Sequence, residues 1–346
     1  MPAPSYCQKG LALERGGTAA TERQVRDLQK DLRQLGYLKT GIDGRFGPAT
    51  ELAVKALRYD LLYNDGRSQK DDGEAPVRVI DFNRGRVPAI SGIIDYMTAS
   101  CIADMLDDPE FLTLPKAEDP WAENNKIKTS IGQLPSVDVP IPFLLAILQQ
   151  ESGLKHFNEP KGNDEDTYIT VGLDKNASEK YIITSRGYGA GQYTIFHHPP
   201  KATEVEDFIL NVEKNVQKAV KELRYKFDYF VMGETSGTRA DDRIAEHGLG
   251  PLRYCKYSQG DPRYMKECRQ CMVDSGQQNI AEGDPVFKNS SIRFEPTTYY
   301  RKASYSSIPL RKNVGCDWPY ASRRYNGAGI NSYHYQAIIL TNVLNI

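Results

Sequence analysis

The sequence lacks any apolar run that could span a bilayer, which takes about 18 residues; its longest, Ile141 to Leu148, reads as a core helix. It has no excess of either charge. Lys plus Arg (44) nearly equals Asp plus Glu (45), for a formal net charge of −1, which excludes nucleic-acid binding driven by backbone charge. The opening Met-Pro-Ala-Pro-Ser-Tyr-Cys has neither a basic nor an apolar stretch, so no secretory signal is expected there. Histidine is scarce: 5 scattered residues do not make a hydrolytic zinc centre, and the adjacent His197 and His198 point in different directions. No metal and no cofactor is expected, and an amidase or peptidase is disfavoured. What remains is an ordinary folded composition, 40% hydrophobic and 26% charged over 346 residues, enough for two domains.

The N-terminal third is periodic. Thr21 and Gln24 have capping-box spacing, and Val25, Leu28, Leu32 and Leu35 then recur at helical intervals until Gly36. The phrase Asp43-Gly44-Arg45-Phe46-Gly47-Pro48-Ala49-Thr50 predicts a tight turn and then a helix through Leu52, Ala53, Ala56 and Leu57. A related phrase, Gly92-Ile93-Ile94-Asp95 with Thr98, precedes Ile102, Met105 and Leu106, and both helices are expected to open at the threonine. The Asp-, Gly- and Arg-rich stretch from Asn64 to Arg86 reads as a solvated insertion.

Leu28-Gln29, Leu35-Gly36-Tyr37, Asp43-Gly44, Phe46-Gly47 and Thr50 resemble the three-helix peptidoglycan-binding domain carried by many cell-wall hydrolases. The resemblance covers about residues 20 to 107. It implies that Tyr37, Asp43, Phe46 and Thr50 contact the wall.

From Asp107 to Val139 prolines and charges replace the periodic apolar positions, which predicts a linker with one short helix. Pro140 then opens a helix that is apolar on every side from Phe143 to Leu148 and ends at Gly153. Glu151 falls in its last turn, on the face of Ile147, Leu148 and Leu144. Burial and the negative end of the helix dipole both act to raise its pKa, as a general acid requires. Two Gly-rich phrases follow: Gly187-Tyr-Gly-Ala-Gly-Gln192-Tyr193, and Arg323-Arg324-Tyr325-Asn326-Gly327. The second leads into a helix carrying Tyr335, Ile338, Ile339, Val343 and Leu344, with Asn331 or Ser332 as its cap.

Glu151-Ser152-Gly153, the Gly189-to-Gln192 phrase and Tyr325-Asn326, in that order, resemble the soluble lytic transglycosylases and goose-type lysozymes, as in modular phage endolysins. The resemblance implies that Glu151 is the catalytic acid and that Ser152, Gln192, Tyr193, Tyr325 and Asn326 line the saccharide groove. It extends to a long helix from about Glu204 to Phe230. It also implies a lytic transglycosylase: one glutamate protonates the bridging oxygen between N-acetylmuramic acid and N-acetylglucosamine, then helps the 6-hydroxyl close a 1,6-anhydro ring. An intramolecular attack needs little help from a second carboxylate. A muramidase is the alternative, with Asp164, Glu165 or Asp166 activating water, and a wall-binding protein without catalysis is the alternative of another class.

The expected fold is therefore mainly α with a small β excursion. A peptidoglycan-binding bundle occupies 1–107 (insertion about 64–88), a linker 108–139, and a lysozyme-like domain 140–346. The last has insertions at about 156–186, with a strand or hairpin around Thr167 to Val171, and at about 235–317. The expected partner is a peptidoglycan glycan strand, met by a monomer in the periplasm or outside the cell. Cys255, Cys268, Cys271 and Cys316 are expected to form two disulfides, with zinc or free thiols as alternatives, and Cys7 and Cys101 could tie the N-terminal tail to the last bundle helix.

Overall fold

A computed structural model describes residues 3–39, 41–68, 70, 73–133, 139–227, 229, 317–327, 335, 338–339 and 342–343. It is helix-rich with one three-stranded sheet. The chain divides into two compact units, Met1–Gly132 with Leu154–Val216, and Gln133–Gly153 with Gln217–Ile346. No helix among the described residues is long and apolar enough to cross a membrane.

In the first unit, α1 (Glu22–Gln34) opens with the capping box: the Thr21 side chain accepts from Gln24 N–H, and the Gln24 amide accepts from Thr21 N–H at 2.9 Å. Its buried face, Val25, Leu28 and Leu32, meets Val54, Leu57 and Leu61 of α2 (Pro48–Tyr63) and Ile102 and Met105 of α3 (Tyr96–Asp107) in one core. Both later helices start before their threonines. Pro48, with its φ already helical, begins α2. Asp95 caps α3 by accepting from Thr98 N–H at 2.7 Å. Thr50 and Thr98 are thereby turned inward and buried.

The stretch from Asn64 to Arg86 is only partly solvated. Its short 3-10 helix, Val79–Phe82, buries Val79 and Phe82 in the core. Three apolar residues so far apart, counting Val87, leave no periodic trace in the sequence. The expected link between Cys7 and Cys101 is corrected as well: both are free thiols. Cys7 Sγ lies 3.7 Å from Ser100 Oγ. Neighbours on a helix point different ways, so Cys101 turns into the core, where burial pushes its pKa up to about 11. Cys255, Cys268, Cys271, Cys316, Asn331 and Ser332 lie outside the described residues.

α4 (Pro120–Gln133) is the helix expected in the proline-bearing stretch. The sheet that follows is antiparallel, in the order β1 (Val171–Lys175), β2 (Ile183–Tyr188), β3 (Tyr193–Ile195). Val171 pairs with Tyr188, and Tyr188 with Tyr193. The strand expected at Thr167 begins only at Val171; before it, Tyr168 and Ile169 make single bridges to Lys116 and Phe157. Two buried arginines fasten this part of the chain to the bundle. Arg33 of α1 donates from Nε to Asp166 Oδ2 (2.9 Å) and from its other nitrogens to the carbonyls of Leu38 and Ile169. Arg186 of β2 donates to Gly36 O (3.1 Å) and meets Asp60 of α2 at 3.4 Å.

The long helix starts later than the sequence suggests. After a π-turn at Val205–Ile209, α6 runs Val212–Phe227, with the Asn211 side chain accepting from Lys214 N–H at 2.9 Å. In the second unit, α5 (Ile141–Ser152) packs against α7 (Asp317–Tyr325). Residues 335, 338–339 and 342–343 are helical, and Tyr335, Ile339 and Val343 are buried.

Candidate active site

α5 carries Glu151 to a defined place. Pro140 is its N-cap, Phe143, Leu144, Ala146, Ile147 and Leu148 are buried, and Gly153 ends it with φ +69°. That left-handed turn suits glycine and lets Gly153 N–H reach Gln149 O at 2.9 Å. Glu151 is half-buried in the last turn. Its Oε1 accepts from the hydroxyl of Tyr335 at 2.5 Å. Burial first, then the Glu151 carboxylate, pushes the Tyr335 phenol well above its usual pKa. Tyr325, at the end of α7, is raised in the same way by burial, then by Glu151 and Glu222. Both phenols therefore stay protonated near neutral pH, and Tyr335 donates to the Glu151 carboxylate.

Around this group, Ser152 Oγ donates to Leu148 O at 3.0 Å, inside its own helix. Asn326 is exposed in the turn after α7, beside Gly327 at φ +101°. Asn342 Nδ2 reaches Ala146 O at 3.4 Å, tying the C-terminal segment to α5. In the second unit Glu151 thus lies within electrostatic reach of Tyr325 and in hydrogen-bond contact with Tyr335. In the sequence Tyr335 reads as one apolar position of a helical repeat, and nothing local marks its hydroxyl.

Gln192 and Tyr193 belong to the first unit. Gln192 has φ +50°, and its amide folds back to donate to Gly189 O at 2.7 Å. A Cβ on Gly172 would lie 2.3 Å from Gln192 Oε1, so the glycines of β1 and β2 leave room for that amide. Gly189, at φ +71°, is required for a second reason: a Cβ there would sit 2.5 Å from the His156 ring and 2.7 Å from Asn215 Nδ2. His156 and Asn215 hold this turn. Ala190 N–H points to His156 Nδ1 at 3.4 Å, and Gly191 N–H donates to Asn215 Oδ1 at 2.8 Å. Asn215 Nδ2 donates in turn to the carbonyls of Tyr188 and Phe208. Burial lowers the His156 pKa to about 4, so the ring is neutral and its Nε2 donates to Ile209 O at 2.9 Å. Tyr193 packs edge-on against Phe208, with ring centroids 4.5 Å apart.

The wall-binding candidates separate into two kinds. Tyr37 and Thr50 are each 2% exposed. The Tyr37 hydroxyl donates to Asp60 at 3.0 Å. The Gln29 amide donates to Asp43 Oδ1 (2.9 Å), Arg45 O (3.0 Å) and Thr50 Oγ1 (3.1 Å), and accepts from Gly44 N–H (2.8 Å). These residues build the turn. Burial acts to raise the Asp43 pKa, but the Gln29 and Arg45 donors outweigh it and hold the carboxyl below its usual range. Phe46 is half-buried beside a 300 Å³ cleft shared with Leu13, Glu22 and Arg45, and offers the turn's apolar surface.

The three acids considered for water activation are engaged within the first unit. Asp164 accepts from Ile42 N–H at 2.8 Å, Glu165 pairs with Lys30 at 2.9 Å, and Asp166 pairs with Arg33 at 2.9 Å. Among the described residues, no group of His, Cys, Asp and Glu is arranged to hold a metal ion.

Residues 21–58 match the peptidoglycan binding domain family, and peptidoglycan is the partner this match supports. No curated protein and no solved structure matches the chain.

Proposed function

We propose that the chain is a peptidoglycan lytic transglycosylase in which Glu151 is the catalytic acid and base. The observation that carries this reading is the Tyr335 hydroxyl on Glu151 Oε1, at the end of a buried helix and beside a second protonated phenol, Tyr325. In the first step the glutamic acid gives its proton to the bridging oxygen, and the bond from that oxygen to the muramoyl anomeric carbon breaks. In the second the carboxylate takes the proton of the muramoyl 6-hydroxyl as that oxygen bonds to the same carbon. The acid is restored, no water is consumed, and a 1,6-anhydro end results. A phenol donor stabilises the ionised carboxylate between the two steps, opposing burial and the helix dipole, which favour the acid form. Ser152, Gln192, Tyr193, Tyr325 and Asn326 are assigned to the saccharide groove on the family resemblance, and the binding domain at 21–58 keeps the chain on its polymer.

Hydrolysis by a muramidase is the second reading, and one observation favours it. Glu222 of α6 also faces the Tyr325 phenol, although Lys226 holds it at 2.7 Å. Engagement of Asp164, Glu165 and Asp166 elsewhere weighs against the water-activating route through them. Mass spectrometry of purified murein digested by the full chain decides between the readings. Fragments with anhydro-muramic ends, lighter by one water, are expected. Reducing muramic ends would assign hydrolysis, and binding with no soluble fragments would leave a wall-binding protein without catalysis.

A further inference from the structure

One aromatic group of the first unit has no part in the catalytic proposal. Tyr59 and Tyr63 lie one turn apart on α2, with ring centroids 4.9 Å apart. Tyr181, in the connection from β1 to β2, brings its ring to 6.0 Å from Tyr59. Tyr63 is 59% exposed, while Tyr59 and Tyr181 are half-buried. Three neighbouring phenol rings at a surface form an amphipathic patch of the kind that proteins keep for a partner.

The patch is held from beneath. Asp60, the residue after Tyr59, turns inward and accepts from Tyr37 at 3.0 Å and from Arg186 at 3.4 Å, which binds α2 to β2. The Tyr181 hydroxyl donates to Glu179 at 2.7 Å, which orients its ring. Rings fixed in advance lose little freedom when a ligand arrives. The charges that act on the rings are acidic: after burial, Asp60 and Glu179 both raise the Tyr59 pKa, and Glu179 raises that of Tyr181. Lys175 and Lys180 belong to the same hairpin, and burial, then the ammoniums of Lys39 and Lys180, lower the Lys175 pKa.

We propose that Tyr59, Tyr63 and Tyr181 form a saccharide-stacking subsite that takes successive N-acetylated pyranose rings of a peptidoglycan glycan strand. A pyranose presents an apolar C–H face suited to an aromatic ring, and the three rings, tilted by 47° and 54° to one another, offer differently inclined surfaces for it. The site adjoins the matched segment, which ends at residue 58. The β1–β2 hairpin, a part of the chain outside that match, completes it. The inference rests on peptidoglycan being the ligand of this unit, and it adds where and by which chemical group the polymer is held.

The test uses the full chain carrying Glu151→Gln, so that the polymer stays intact. Co-sedimentation with purified murein sacculi measures binding, and a tetramer of N-acetylglucosamine is the soluble competitor. Tyr63→Ala and Tyr181→Ala are each expected to weaken binding about fivefold and the double variant more than tenfold. Melting temperatures should be unchanged, because Tyr63 is exposed and Tyr181 lies outside the core. The tetramer should displace the parent chain. Unchanged sedimentation of the double variant overturns the subsite while leaving wall binding intact. Weakened binding that the tetramer cannot compete away overturns the glycan assignment in favour of the stem peptide. Failure of the parent chain to sediment removes the peptidoglycan reading itself, and the subsite with it.

Discussion

The two units partner their carboxylates differently at three positions. In the first, Asp166 and Asp60 each meet a guanidinium, Arg33 at 2.9 Å and Arg186 at 3.4 Å. Burial pushes both acids upward and the arginine beside each pulls back. A guanidinium keeps its charge at any ordinary pH, so these pairs are permanent fastenings. In the second unit Glu151 accepts from a neutral phenol. A phenol donor favours the ionised form of a carboxyl but adds no charge of its own. The guanidinium is what sets Asp166 and Asp60 apart, since a phenol also donates to a carboxylate in the first unit, Tyr6 to Asp31.

Substitutions can break this contrast. The largest effect is expected on activity: Glu151→Gln should lower the rate of murein clearing by about 10²- to 10⁴-fold, with the melting temperature preserved. Near-normal clearing by that variant would refute the assignment of Glu151. Arg33→Met should do the reverse. It leaves Asp166 and the carbonyls of Leu38 and Ile169 without their buried donor, at about 3–5 kcal/mol of stability. Urea denaturation measures that loss, and a change under about 1 kcal/mol would mean that the pair does not hold the sheet to the bundle.

Acid gives a smaller effect, also confined to the first unit. The folded pKa of His156 is depressed from 6.5 to about 4. Between those values the unfolded chain binds the proton and the folded chain does not, so stability present above pH 6.5 is lost as the pH falls toward 4. The loss amounts to about 3 kcal/mol at most. An NMR titration of the ring checks the premise, and a midpoint near the ordinary value would contradict it. The smallest change belongs to Tyr335→Phe. Without the hydroxyl the carboxyl of Glu151 loses a donor to its charged form, so the alkaline limb of the pH–rate profile should move upward and the rate at its optimum fall about tenfold. A purely structural role would lower stability and leave the profile where it was.

Much of the local structure was legible. The capping box at Thr21, the periodic face of α1, the proline start and glycine stop of α5 and the placement of Glu151 in its last turn all appear as read. Each depends on residues within a few positions of one another. The starts of α2 and α3 were misplaced by two residues because both threonines, read as openings, are buried inside their helices. The late start of α6 was hidden because a π-turn keeps apolar residues such as Phe208 and Ile209 at near-helical spacing. Of the candidate site, Glu151 and Tyr325 stood out in the sequence and lie within electrostatic reach of each other in the second unit. Tyr37 and Thr50 stood out equally, and their hydroxyls serve the interior.

By itself the sequence determined the helices, their caps and the segment that matches a wall-binding family, because those signals are periodic or confined to one turn. Only the tertiary structure decided which polar groups share the interior. Arg33 finds Asp166 across 133 positions, Arg186 finds Asp60 across 126, and Tyr335 finds Glu151 across 184. Such pairs follow from the need of each buried donor and acceptor for a partner, a requirement that no spacing along the chain records.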